Sequence, residues 1–142
     1  MSEENKAVIE RLTRELFNDG GDVDVADELL AEDFVDHTPA PGSEGDRDSY
    51  KQRALQMRGP FTDIRTTTEQ LVAEADWVAE RWHCTFKHTG EFLGVKPSNA
   101  AVAMDGFAFY RLRDGRVTEF WGLSDAFGMM QQIGALPRPP SA

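Results

Sequence analysis

One cysteine, Cys84, stands in a chain of 142 residues. A lone thiol excludes an intramolecular disulfide and any multi-cysteine zinc or iron–sulfur centre, and it suits a reducing compartment. Positive charge is also scarce: 15 Lys+Arg stand against 25 Asp+Glu, a net charge of -10. Such a field repels phosphate backbones and anionic lipid, and the scattered basic residues lack the aromatic interleaving of a single-strand groove. Neither nucleic acid nor a membrane is expected as a partner. No stretch nears the roughly 18 uninterrupted apolar residues of a membrane span, and residues 1–6 are acidic and polar, without a leader-type apolar run. These features predict a cytoplasmic, water-soluble protein. Walker loops, GxGxxG, GxSxG and HExxH are all missing, which removes the first requirement of phosphate, dinucleotide, serine-hydrolase and zincin chemistry. Of the three histidines, His37, His83 and His88, two fall on opposite faces of one predicted strand, so no metal site and no cofactor is expected.

What the chain does hold is apolar and aromatic: 40% hydrophobic residues with nine Phe and three Trp. That composition, at this length, predicts a single domain over residues 1–142 with a frayed tail at 136–142. Folding at this size hides roughly 68–70% of the unfolded surface, so an internal cavity needs no disulfide to support it. Val8, Ile9, Leu12, Leu16 and Phe17 recur at spacings of three and four and predict a helix from Asn5 to Phe17, stopped by Gly20-Gly21. A short second helix is predicted from Asp24, a plausible N-cap, to Leu30, and a third from Asp46 to Met57, ended by Gly59-Pro60. Between them, Thr38-Pro39-Ala40-Pro41-Gly42 forces a turn. Beyond Pro60 the pattern predicts a β-meander of four runs, Thr62–Ala73, Trp77–Thr89, Ala100–Arg113 and Arg116–Ser124. Three of these are about twice the usual strand length of roughly 5–6 residues, and such strands must twist and coil. A coiled antiparallel sheet covered by three N-terminal helices makes an α+β cone with a mouth, closed by a short helix over Asp125–Gly134.

Several ionisable groups sit inside or at the ends of these apolar strands. Asp125 ends the fourth run and opens the last helix. It either caps that helix, which keeps its pKa low, or points into the cavity, where apolar neighbours such as Trp121 raise its pKa and suit it to proton transfer. His37 is the side chain best matched to proton exchange near neutral pH. In Trp77–Thr89 the even positions Val78, Trp82, Cys84 and Phe86 form the more apolar face, with Glu80 and His88 as its polar members. Arg81 has the opposite parity and shares a cavity with His88 only if a bulge intervenes. Asp105 and Arg111 share one parity and are read as pairing with neighbouring strands.

The ordered set Asp33–Pro39, Asp76–Trp82, His88–Gly94, Asp114–Trp121, then Asp125 followed by Gln132-Ile133-Gly134 resembles the SnoaL-like polyketide cyclases of the NTF2-like superfamily across nearly the whole chain. The resemblance implies an NTF2-like cone, a homodimer packed through the open sheet face, a mostly apolar pocket and no cofactor. It also implies that Asp125 acts as general acid/base in an intramolecular aldol condensation of a small, largely apolar carbonyl compound. His37 joins it as a catalytic candidate, and Arg81, Trp82, His88 and Trp121 are candidates for contacting substrate. The chain departs from those cyclases on the penultimate strand, where Arg111 stands in the region of a further histidine. Two alternatives remain open on the residues: a non-catalytic dimeric module that holds an apolar ligand, and epoxide-hydrolase-like hydration, which needs a second carboxylate from Glu119 or Asp105.

Overall fold

In the computed structural model, which describes residues 2–140, helix α1 (Ser2–Leu16) buries Ile9, Leu12 and Leu16 of the predicted stripe together with Thr13, while Val8 and Phe17 are half-buried. Glu3 and Glu4 in its first turn and Arg14 in its last complement the helix dipole. Helix α2 (Val25–Leu29) follows, and the Asp24 carboxylate before it makes no capping bond; it pairs instead with Lys51 at 3.0 Å. Helix α3 (Arg47–Met57) is capped as its sequence suggests, the Asp46 carboxylate accepting from the Ser49 N–H at 2.9 Å.

Strands β1 (Leu30–Asp36), β2 (Phe61–Glu74), β3 (Trp77–His88), β4 (Ala101–Arg113) and β5 (Arg116–Ser124) form one sheet in the order β1-β5-β4-β3-β2. The four long strands are antiparallel neighbours, as expected of a meander. The β4–β5 turn places Asp114 and Gly115 at φ 52 and 78, the pair of left-handed residues that a tight hairpin demands. Strand β1 corrects the purely antiparallel expectation: it pairs parallel to β5, with Val35 opposite Glu119 and Asp36 opposite Phe120. Its buried positions do not alternate and its register shifts between Leu30 and Val35, so the segment carries no period-two signal.

The helices cover one face of the sheet. Ile9, Leu12 and Leu16 of α1, Phe34 of β1 and Tyr50 of α3 join Val78, Tyr110, Val117 and Phe120 in one apolar cluster. A second cluster forms at the other end from Phe61, Ile64, Cys84, Phe86 and Val102, closed by Met129 and Ile133. Met129 comes from helix α4 (Ala126–Gln132). Each fully buried large side chain contributes about 1.5–3 kcal/mol relative to exposure. Beyond α4, residues 137–140 have no regular secondary structure, and the last two positions of the expected tail, 141 and 142, lie outside the described residues. The uncovered sheet face carries Val72, Trp77, Phe107, Phe109 and Leu123, all exposed. No helix among the described residues is long and apolar enough to cross a membrane.

Candidate active site

Where the two clusters do not meet, a cavity of about 210 Å³ remains between α1, α3 and the inner faces of β2–β5. Its walls come from both clusters, with Leu16, Ala54 and Phe120 on one side and Ile64, Cys84 and Phe86 on the other. Trp82 forms one wall because Gly106 has no side chain: a Cβ there would lie 2.1 Å from the indole Cζ2.

Glu80 is the one carboxylate lining this cavity among the described residues, and only 2% of the residue is exposed. Its Oε2 accepts from the hydroxyls of Thr13 (2.8 Å) and Thr68 (2.7 Å), and its Oε1 accepts from Tyr110 (2.9 Å). Burial raises its pKa above the ordinary 4.5, and the three hydroxyl donors offset part of that rise. Tyr110 and its neighbour Tyr50 are pushed up by burial as well, so both phenols remain protonated donors. Arg53 reaches the same cavity over the Tyr50 and Phe120 rings, at 5.6 and 6.0 Å from their centroids, with its charge paired to buried Asp36. Cys84 faces the cavity with its thiol pKa raised by burial. The result is a carboxylate of raised pKa among hydroxyls and two guanidinium groups, those of Arg53 and Arg58, in a largely apolar enclosure.

Only Trp82 of the residues expected at the site lines this cavity. Asp125 is exposed and caps α4, its Oδ1 accepting from the Gly128 N–H at 2.9 Å, so its geometry is that of the capping alternative. Arg81 points to the uncovered face and donates to Gln70 at 3.4 Å, because β3 pairs with β4 without a break in register from Trp77 to Lys87 and parity holds. Trp121 also lies on the uncovered face, where His37 stacks on it at 4.3 Å and its Nε2–H donates to the Glu119 carboxylate at 3.1 Å. Glu119 and Asp105 lie away from the cavity, Asp105 paired with His83 at 2.7 Å, so neither supplies the second carboxylate that hydration needs there. His88 is fully buried beside Phe61 in the second cluster but does not line the cavity. Its Nδ1 accepts from the Ser98 N–H at 3.1 Å, which places the ring proton on Nε2, and that atom is buried without a partner among the described residues.

Glu80, Tyr50, Tyr110 and Arg53 were not candidates on sequence grounds. For Glu80 the signal was present: it has the parity of Val78, Trp82 and Cys84, and a charge at an inward position needs partners or a function. Tyr50, Tyr110 and Arg53 converge on it only through tertiary contacts.

A curved five-stranded sheet with helices over one face and a hollow beneath them defines the class, an NTF2-like α+β cone. The sequence profile of the SnoaL-like polyketide cyclase family matches residues 7–133, and the chain belongs to that family. IdmH of Streptomyces antibioticus, a candidate polyketide cyclase, is 32% identical with a TM-score of 0.80, over 92% of this chain and 98% of its own. AclR of Streptomyces galilaeus, a candidate hydroxylase, is 25% identical with a TM-score of 0.84, over 99% of this chain and 87% of its own. An epoxide hydrolase of the LEH-like type from M. tuberculosis shares the fold at 17% identity and a TM-score of 0.67, over 93% of this chain and 90% of its own. No curated protein is similar enough in sequence to match.

Proposed function

We propose that this chain is a cofactor-independent acid/base enzyme that performs an aldol-type cyclisation of a small, largely apolar carbonyl compound in the cavity beneath α1 and α3. Glu80 takes the proton from the carbon next to a carbonyl, and the electron pair moves to the carbonyl oxygen as an enolate. The Tyr50 hydroxyl and the Arg53 guanidinium line the same cavity and can donate to that oxyanion. The enolate carbon then attacks a second carbonyl in the same molecule, and the resulting alkoxide recovers the proton from Glu80. A single observation carries this reading: a buried carboxylate of raised pKa opening into an apolar hollow. The family and the likeness to IdmH support the reaction class.

The test is deuterium uptake at the α-carbon of a neutral ketone probe, α-tetralone, in D2O, followed by proton NMR with the wild type and Glu80→Gln. Uptake that depends on Glu80 supports the enzyme. A specific observation favours a second reading, a binding module without turnover: all three hydrogen bonds of Glu80 tie α1, β2 and β4 to β3, the work of a structural clamp. Under that reading no uptake occurs with either protein.

The same proposal includes a homodimer formed through the uncovered sheet face. Val72, Trp77, Phe109 and Trp121 line an open depression there, flanked by exposed Phe107 and Leu123. A second copy packed on this face would take these exposed apolar side chains out of water.

A further inference from the structure

We propose that the cavity takes a ligand bearing a carboxylate, and that Arg58 is the residue that recognises it. The inference rests on the cavity being the ligand site of the reading above, and it adds the chemical class of that ligand. Arg58 caps the end of α3 and lines the cavity beside the end of α1. Its Nη2 donates to the carbonyls of Asn18 (3.0 Å) and Leu16 (3.5 Å), so the negative pole of α1 holds the guanidinium in place. Nε and Nη1 have no partner among the described residues, and no carboxylate pairs with the group.

The charge inventory of the cavity makes this informative. Its only other cation among the described residues, Arg53, is already paired with Asp36, and its only carboxylate, Glu80, is satisfied by three hydroxyls. A chain with ten more acids than bases has therefore left one fixed guanidinium at an apolar hollow without an acid of its own. Nε–H and Nη1–H point to either side of Cδ, so each free N–H offers a charge-assisted hydrogen bond to one oxygen of a carboxylate. Because backbone carbonyls already fix the side chain, little further ordering is needed when an anion arrives. A phosphate dianion fits less well, since a single Arg in an apolar enclosure neither neutralises it nor satisfies its three oxygens. The ligand this geometry accepts is an apolar body placed against Trp82 and Phe86 with one carboxylate at Arg58.

The test compares 2-naphthoate with its neutral isostere 2-naphthamide by isothermal titration calorimetry. The wild type is expected to bind naphthoate about tenfold more tightly than the amide. Arg58→Gln should bring the ratio of affinities close to one, and Arg58→Lys, which keeps the charge but not the planar, braced guanidinium, should keep a smaller preference. Thermal melts accompany each variant because Arg58 also braces α1; if Arg58→Gln does not fold, the wild-type ratio and Arg58→Lys decide. A wild-type ratio near one, a full preference in Arg58→Gln, or no binding of either probe overturns the proposal. Deuterium uptake by α-tetralone, which carries no carboxylate, reads the proposed chemistry separately. Uptake without a naphthoate preference removes only the Arg58 assignment, and a preference without uptake leaves the carboxylate site while removing turnover.

Discussion

Replacing Glu80 by Gln tests the site most directly, because it deletes the proton-accepting charge and little else. The amide keeps an oxygen to accept from Tyr110, and the hydroxyls of Thr13 and Thr68 can rotate to accept from its NH2 group. Removing a positioned general base lowers a proton-transfer rate by about 10²–10⁴-fold, which is the expected loss of deuterium uptake. Stability should move the other way. Burial raises the Glu80 pKa, so the folded chain holds this proton at pH values where the unfolded chain releases it. The stabilisation linked to that proton is complete below about 4.5 and is lost as pH rises through the higher folded value. Above that window the wild type carries a desolvated charge that Gln lacks, worth about 1.4 kcal/mol for each tenfold change in proton affinity. Glu80→Gln should therefore equal or exceed the wild type in melting temperature near neutral pH and lose that advantage toward pH 4. Circular dichroism melts across that range and NMR exchange rates measure both effects. Exchange within a factor of two of the wild type in a folded Glu80→Gln protein would refute the assignment of Glu80 as the base.

Three other variants probe the surroundings. Tyr110→Phe removes the donor on Glu80 Oε1, a bond that lowers the Glu80 pKa, so the acid limb of the exchange-rate profile should shift to higher pH, with about 1–3 kcal/mol lost in chemical denaturation. Asp125→Ala deletes the cap of α4 and should lower stability by about 0.5–2 kcal/mol, with exchange following the folded fraction; a loss of exchange beyond that fraction would return Asp125 to the chemistry. Phe109→Glu puts a charge on the uncovered sheet face and should yield a folded monomer in sedimentation velocity whose melting temperature no longer depends on protein concentration, whereas an unchanged mass would remove the dimer through that face.

Periodicity made the long elements legible. The stripe of Ile9, Leu12 and Leu16 places α1, and the even positions of Trp77–His88 turn inward as their parity requires. Parity also foretells the outward course of Arg81. Strand β1 was not legible, because a segment whose pairing slips between Leu30 and Val35 has neither the helical nor the strand period. The candidate site was read from residue chemistry at element ends, which favoured Asp125 and His37, and there the local hydrogen bond to Gly128 and the stack on Trp121 prevail. The carboxylate that does enter the hollow lies mid-strand, and its partners come from Thr13, Thr68 and Tyr110, far apart in the chain. Sequence spacing says nothing about such convergence.

The parallel pairing of β1 with β5 has a consequence for biosynthesis. The stretch that becomes β1 leaves the ribosome long before its partner is translated, and elongation speeds imply a delay on the order of ten seconds. Throughout that interval its backbone amides have no sheet to join, and Phe34 lacks Phe120 and Val117 to pack against. The nascent chain therefore passes through a state with a greasy, unpaired segment, a surface prone to aggregation until β5 is made. Truncation before Arg116 strands that segment permanently.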